Sequence, residues 1–120
     1  MSLRIVAVVA ALVSALAHLK LWVDGMRDIS VIGPAFLVNA VAGVVIAVLL
    51  LRRRDWVPAF LVLGFGASTL GALILSSTVG LFGHHEPFEG PYVWTTAVAE
   101  VVCIVAGALL LRPVSRRPGA

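Results

Sequence analysis

Glu100 is the residue in this chain best placed to do chemistry. It lies in the apolar run Tyr92–Leu111, YVWTTAVAEVVCIVAGALLL, with no charged neighbour in sequence. That run is about 20 residues long, the length that spans a bilayer core as a helix. A carboxyl inside a membrane span is costly, so it faces the protein interior and serves as a ligand anchor, a proton carrier or a buried structural group. Three further polar side chains sit in other apolar runs: His18, Asn39 and Ser76. An imidazole can donate, accept or carry a proton, and an amide offers both donors and an acceptor. At 1.5 Å per residue from the outer boundary, His18 lies roughly 6 Å deep, Asn39 and Ser76 roughly 9 Å, and Glu100 roughly 12 Å. The spacing predicts one outward-facing polar pocket, with Glu100, His18, Asn39 and Ser76 as ligand-binding residues. The inner half of the bundle is then expected to be lined by Ala and Gly alone.

The other polar cluster is His84-His85-Glu86, with Glu89 three residues on. Imidazole and carboxylate together suit zinc or a similar divalent ion. Adjacent histidines in a loop do not readily share one metal, and the GHHEPFEGP composition reads as a solvated outer turn, so no metal is expected. Ser76 or Ser77 with His18 and Glu100 supplies the inventory of a triad but not a spacing that assembles one. There is no glycine-rich phosphate loop, no HExxH and no CxxC. The expectation is a protein that is not an enzyme and takes no cofactor. Asn39 has a plain alternative reading as a hydrogen-bonding contact between helices, and Lys20 one as a snorkelling residue at the membrane surface.

Four elements must position these residues. The chain has 120 residues, 61% of them hydrophobic and 12% charged, against about 25% charged in an ordinary soluble domain. So much apolar surface cannot be hidden in a soluble domain of this size, and the basic residues sit in short blocks between apolar runs. Nucleic acid is therefore not an expected partner. The apolar runs are about Leu3–Val23, Gly33–Leu51, Trp56–Phe82 and Tyr92–Leu111. They predict an all-α bundle of four transmembrane helices forming one domain over 1–111, followed by a basic tail over 112–120. Arg4, the first run and Ala15-Leu16-Ala17 resemble a signal peptide, but the run continues to full spanning length, so an uncleaved anchor is expected. The single cysteine, Cys103, allows no internal disulfide.

Charge sets the expected orientation. Arg4, Arg52, Arg53, Arg54, Arg112, Arg116 and Arg117 fall on one side of a four-span bundle, and only Lys20 and Arg27 on the other. Basic residues near span ends collect in the cytoplasm, so both termini are expected inside, in the plasma membrane. Trp22, Tyr92 and Trp94 then fall at the outer boundary and Trp56 at the inner one, where amphipathic rings settle. Small residues mark faces that pack in lipid. Four stripes qualify: Ala7, Ala11, Ser14 and His18; Ala35, Asn39, Gly43 and Ala47; Gly64, Ser68, Ala72, Ser76 and Gly80; Thr96, Glu100, Cys103 and Gly107.

The stretch AHLKLWVDGMRDISVIGPAFLVNAVAGVV, with its His-Leu-x-Leu-Trp and Gly-Pro-x-Phe-Leu-x-Asn-Ala segments, resembles small four-span membrane proteins of actinobacteria. The TVGLFG turn and the Glu of the last span are similar too. The resemblance covers most of the chain and implies the four-span fold and the importance of His18, Asn39 and Glu100. It implies no activity, since none is assigned to that group. Small multidrug exporters share the size and a membrane Glu, but theirs lies in the first span. Fluoride channels resemble GPAFLVNAVAGVV, but Ala42 stands where their pattern has Gly. The function expected is binding of a small lipophilic or weakly basic molecule in the pocket, or service as an accessory subunit of a membrane complex. The alternative is proton-coupled export through Glu100 by an oligomer, so a homo-oligomer or a larger complex remains open beside contact with the lipid bilayer.

Overall fold

The computed structural model describes residues 2–28, 30–78, 80 and 91–112, excepting the side chains of residues 26, 76, 77, 91 and 92. Four helices account for most of them: α1 (Leu3–Val23), α2 (Ile32–Arg52), α3 (Trp56–Thr78) and α4 (Pro91–Leu111). All four are long and apolar enough to cross a membrane. The chain is thus a multi-pass, four-helix membrane protein. Helices are the natural outcome for such runs, because lipid offers backbone N–H and C=O groups no partner outside the segment.

Their ends are defined by local chemistry. Ser2 caps α1, its hydroxyl accepting a hydrogen bond from the Ile5 N–H at 3.2 Å. Before α2 the chain makes a tight turn in which the Ile32 N–H donates to the Ser30 carbonyl at 2.7 Å, with Val31 at φ 66°. Such a three-residue turn is strained, and a β-branched residue is an unusual centre for it. Pro34 and Pro58 each stand third in their helix, inside the first turn, where a missing N–H costs nothing. The Arg4 guanidinium donates to the carbonyls of Leu50 and Arg53, at 2.9 and 2.8 Å, closing the end of α2. In the following turn Arg53 pairs with Asp55, and its hydrogen bonds hold that exposed carboxyl below its usual range. The third span is shorter than its apolar run. It stops at Thr78 because Gly80 takes φ 89° and donates its N–H to the Leu75 carbonyl at 2.8 Å, a left-handed helix stop.

Glycine sets how closely the helices approach. A Cβ on Gly43 would stand 2.9 Å from the Ala15 side chain and 3.0 Å from the Ala11 carbonyl, so α1 and α2 touch there. A Cβ on Gly66 would stand 2.7 Å from the Glu100 carbonyl, and one on Gly107 2.9 Å from the Leu63 nitrogen; both seat α3 against α4. α1 packs along α2 and α4, and α3 packs along α4, but α2 and α3 meet over a much shorter stretch. The bundle is therefore a ring with one loose seam.

Two expectations need correction. The inward face of α3 carries Ala59, Val62, Phe65, Gly66 and Thr69, whereas Gly64 and Ser68 of the expected stripe are exposed, and Ala72 is half-buried. Small size marks a packing face only where a neighbour closes in, and beside Gly64 nothing does. Nor is the far half lined by Ala and Gly alone. Its core includes Val8, Ile46, Leu50, Val62 and Phe65 among the alanines, since four helices leave volume that methyl groups do not fill. The stripes of α1 and α4 are buried as expected, and that of α2 is buried at Gly43 and Ala47 but exposed at Ala35.

Candidate functional site

The polar residues of α1 and α4 come in pairs one helical turn apart. Ser14 and His18 share a face of α1, as do Thr96 and Glu100 on α4, and all four are buried. His18 Nδ1 lies 2.7 Å from the Ser14 carbonyl. A carbonyl only accepts, so Nδ1 carries the hydrogen and Nε2 is left for the site. Nε2 stands 3.9 Å from Glu100 Oε1, close enough for charge to be felt but too far for a hydrogen bond. Thr96 fills the gap: its hydroxyl donates to Glu100 Oε1 at 2.7 Å and lies 3.4 Å from His18 Nδ1 and 3.5 Å from Ser14 Oγ. Phe36 of α2 leans on the imidazole, with ring centroids 5.1 Å apart. The other carboxyl oxygen, Oε2, is buried and has no hydrogen-bond partner among the described residues.

The facing wall belongs to α2 and α3. Asn39 donates through Nδ2 to Thr69 Oγ1 at 2.6 Å, a side-chain hydrogen bond across the loose seam. Its own Oδ1 is buried and has no partner among the described residues. Between the two walls lies a cavity of about 180 Å³ whose polar lining is His18, Asn39, Ser68, Thr69, Thr96 and Glu100. Leu21, Ile32, Phe36 and Leu73 supply much of the remainder. It opens at the seam, where the lining residues Ala35 and Ser68 are exposed. At about 30 Å³ per water it has room for several waters, or for a molecule near the size of one substituted aromatic ring.

Three of the four sequence-predicted site residues, Glu100, His18 and Asn39, line this cavity. They do not form one hydrogen-bonded unit: His18 and Glu100 belong to the α1–α4 wall and Asn39 to the opposite one. The Ser76 side chain lies outside the described residues, as do His84, His85, Glu86, Glu89 and the tail beyond Arg112. Sequence reasoning missed Thr69 and the bridging part of Thr96. The spacing Gly66–Thr69 would have found the first, and the four-residue step Thr96–Glu100 the second. Among the described residues no three His, Cys, Asp or Glu side chains gather as a metal site. No family model matches the chain, and neither a curated protein nor a solved structure matches it. The class is set by the fold alone: a four-helix, multi-pass membrane protein with a polar cavity at one seam.

Proposed function

We propose that the protein binds a small lipophilic molecule in the cavity between α2 and α3. The observation that carries this reading is that Asn39 and Glu100 line one cavity and each keeps a buried oxygen, Oδ1 and Oε2, with no partner among the described residues. Each buried acceptor left unmade costs about 1–3 kcal/mol, so two around one space favour an occupant that completes them. The seam faces the hydrocarbon region, which gives lipophilic molecules a lateral way in. With the basic blocks cytoplasmic, the cavity lies in the outer half of a plasma-membrane protein, in keeping with the resemblance to small four-span actinobacterial proteins.

Titration with toluene, followed by NMR of the protein in lipid nanodiscs, tests the reading. Saturable shifts at Phe36 and Val93, abolished by Ala72→Phe with helical content unchanged, are expected. Shifts that rise linearly with toluene, as for simple partitioning into lipid, would overturn it. Proton-coupled export is the second reading, favoured by the approach of His18 Nε2 to Glu100 Oε1 within the cavity wall. It requires an oligomer, since one copy of four short helices encloses too little volume for a pathway. A strictly monomeric particle in nanodiscs would remove it.

A further inference from the structure

We propose that the molecule held in this cavity carries a primary amine head, anchored on Glu100 and served by Asn39 as a second acceptor. This rests on the cavity being a ligand site. The donors around it are largely committed to the protein: His18 Nδ1–H to the Ser14 carbonyl, an Asn39 N–H to Thr69, the Thr96 hydroxyl to Glu100 Oε1, and the Ser68 hydroxyl to the Phe65 carbonyl. What the walls leave for an occupant is three acceptors, Glu100 Oε2, Asn39 Oδ1 and His18 Nε2, beside two donors at the seam, the second Asn39 N–H and the Thr69 hydroxyl hydrogen. Glu100 is fully buried and its Oε2 is closed to a water-sized group, so an N–H reaches it with a small turn of the carboxyl toward the cavity that Glu100 lines.

The chemistry of the head follows from those atoms. No Lys or Arg lines the cavity, so an anion would meet a carboxyl with no compensating charge. A hard metal ion takes six or more oxygen ligands, and two unpartnered side-chain oxygens fall far short. An amine fits Glu100 in either protonation state. As ammonium it donates to the carboxylate, and as free amine its lone pair accepts from the carboxylic acid. In both forms it keeps N–H bonds for a further acceptor, which a single hydroxyl facing a carboxylate does not. The body of the molecule lies against Leu21, Ile32, Phe36 and Leu73, and the volume holds it to about one ring with a short chain.

Four probes on one phenylethyl frame test this: 2-phenylethylamine, its bulkier N,N,N-trimethyl derivative, 2-phenylethanol and propylbenzene. Their dissociation constants are measured on the protein in nanodiscs, corrected for partition into empty discs. The primary amine is expected to bind about tenfold tighter or more than the alcohol and the hydrocarbon, as a charge-assisted hydrogen bond would give. The trimethyl derivative, charged but without N–H, is expected to lose that advantage. Glu100→Gln is expected to bring the amine to the level of the alcohol and leave propylbenzene within twofold. Equal binding of amine, alcohol and hydrocarbon would overturn the amine head and leave the lipophilic site standing. A trimethyl derivative as tight as the amine would equally overturn it, since N–H donation would count for nothing. Saturable binding of none of the four would bring down the site and the amine together.

Discussion

Glu100 is buried with one hydrogen bond, from Thr96, and an imidazole 3.9 Å away. The two neighbours act differently. Thr96 contributes a directional bond, whereas His18 acts through its ring dipole and through the shared hydroxyl. A double-mutant cycle between Glu100 and His18, read by thermal unfolding in detergent, is therefore expected to show coupling beyond about 0.5 kcal/mol. Glu100→Gln keeps the shape and the acceptor for Thr96, so the bundle is expected to survive it. Glu100→Leu strands Thr96 and is expected to cost about 1–3 kcal/mol. The same cycle between Glu100 and Asn39 is expected to be additive within a few tenths of a kcal/mol when no ligand is bound, because each bonds to its own wall. Additivity between Glu100 and His18 would show that the carboxyl answers to another group. At this scale the sequence was informative about which residues matter, since a carboxyl, an imidazole and an amide in apolar runs stand out. It was silent on pairing, because a depth count says how far down a helix a group sits and not which way its side chain turns.

The helices were legible because each is a long apolar run, with the Arg52–Arg54 block separating the second from the third. Their faces were legible only in part. On α1 and α4 the small residues coincide with the packed face because each of these helices has two neighbours. α3 has one extensive neighbour, α4, and its small residues are distributed over both the packed and the open side. Gly66 and Gly64 separate the two cases. A Cβ on Gly66 would collide with the Glu100 carbonyl and the Cys103 side chain, at 2.7 and 2.9 Å, whereas one on Gly64 meets nothing within 4 Å. Gly66→Ala is thus expected to push α3 off α4 and destabilise the bundle by about 1–3 kcal/mol. Gly64→Ala is expected to be neutral or to stabilise by up to about 1 kcal/mol, through helix propensity alone. Thermal unfolding of both variants in the same detergent measures the difference, and equal effects would show that the α3–α4 contact is not as close as described.

At the scale of the whole molecule, the two ends of the bundle differ in charge. Arg4 reaches the carbonyl of Arg53, and Gly107 packs against Ala59 and Leu63 near the start of α3. Arg4, Arg52, Arg53, Arg54 and Arg112 therefore gather at one end, where Asp55 is the acidic residue among the described ones. The opposite end holds Lys20, Asp24, Arg27 and Asp28, of which Lys20 and Asp24 pair at 3.0 Å. A transmembrane bundle with this asymmetry is expected to keep its basic end in the cytoplasm, and the cavity, nearer the other end, would then face outward. Cysteine labelling measures this directly. Cys103 is fully buried, so Cys103→Ser supplies a background free of reactive thiols with little change in volume. In that background Asp28→Cys is expected to react with a membrane-impermeant maleimide on intact cells. Arg54→Cys is expected to react only after the cells are permeabilised. Both positions are exposed and lie outside the four spans, so failure to label reports the side of the membrane and not burial. Labelling of Arg54→Cys from outside would invert the protein. The cavity would then open toward the cytoplasmic leaflet.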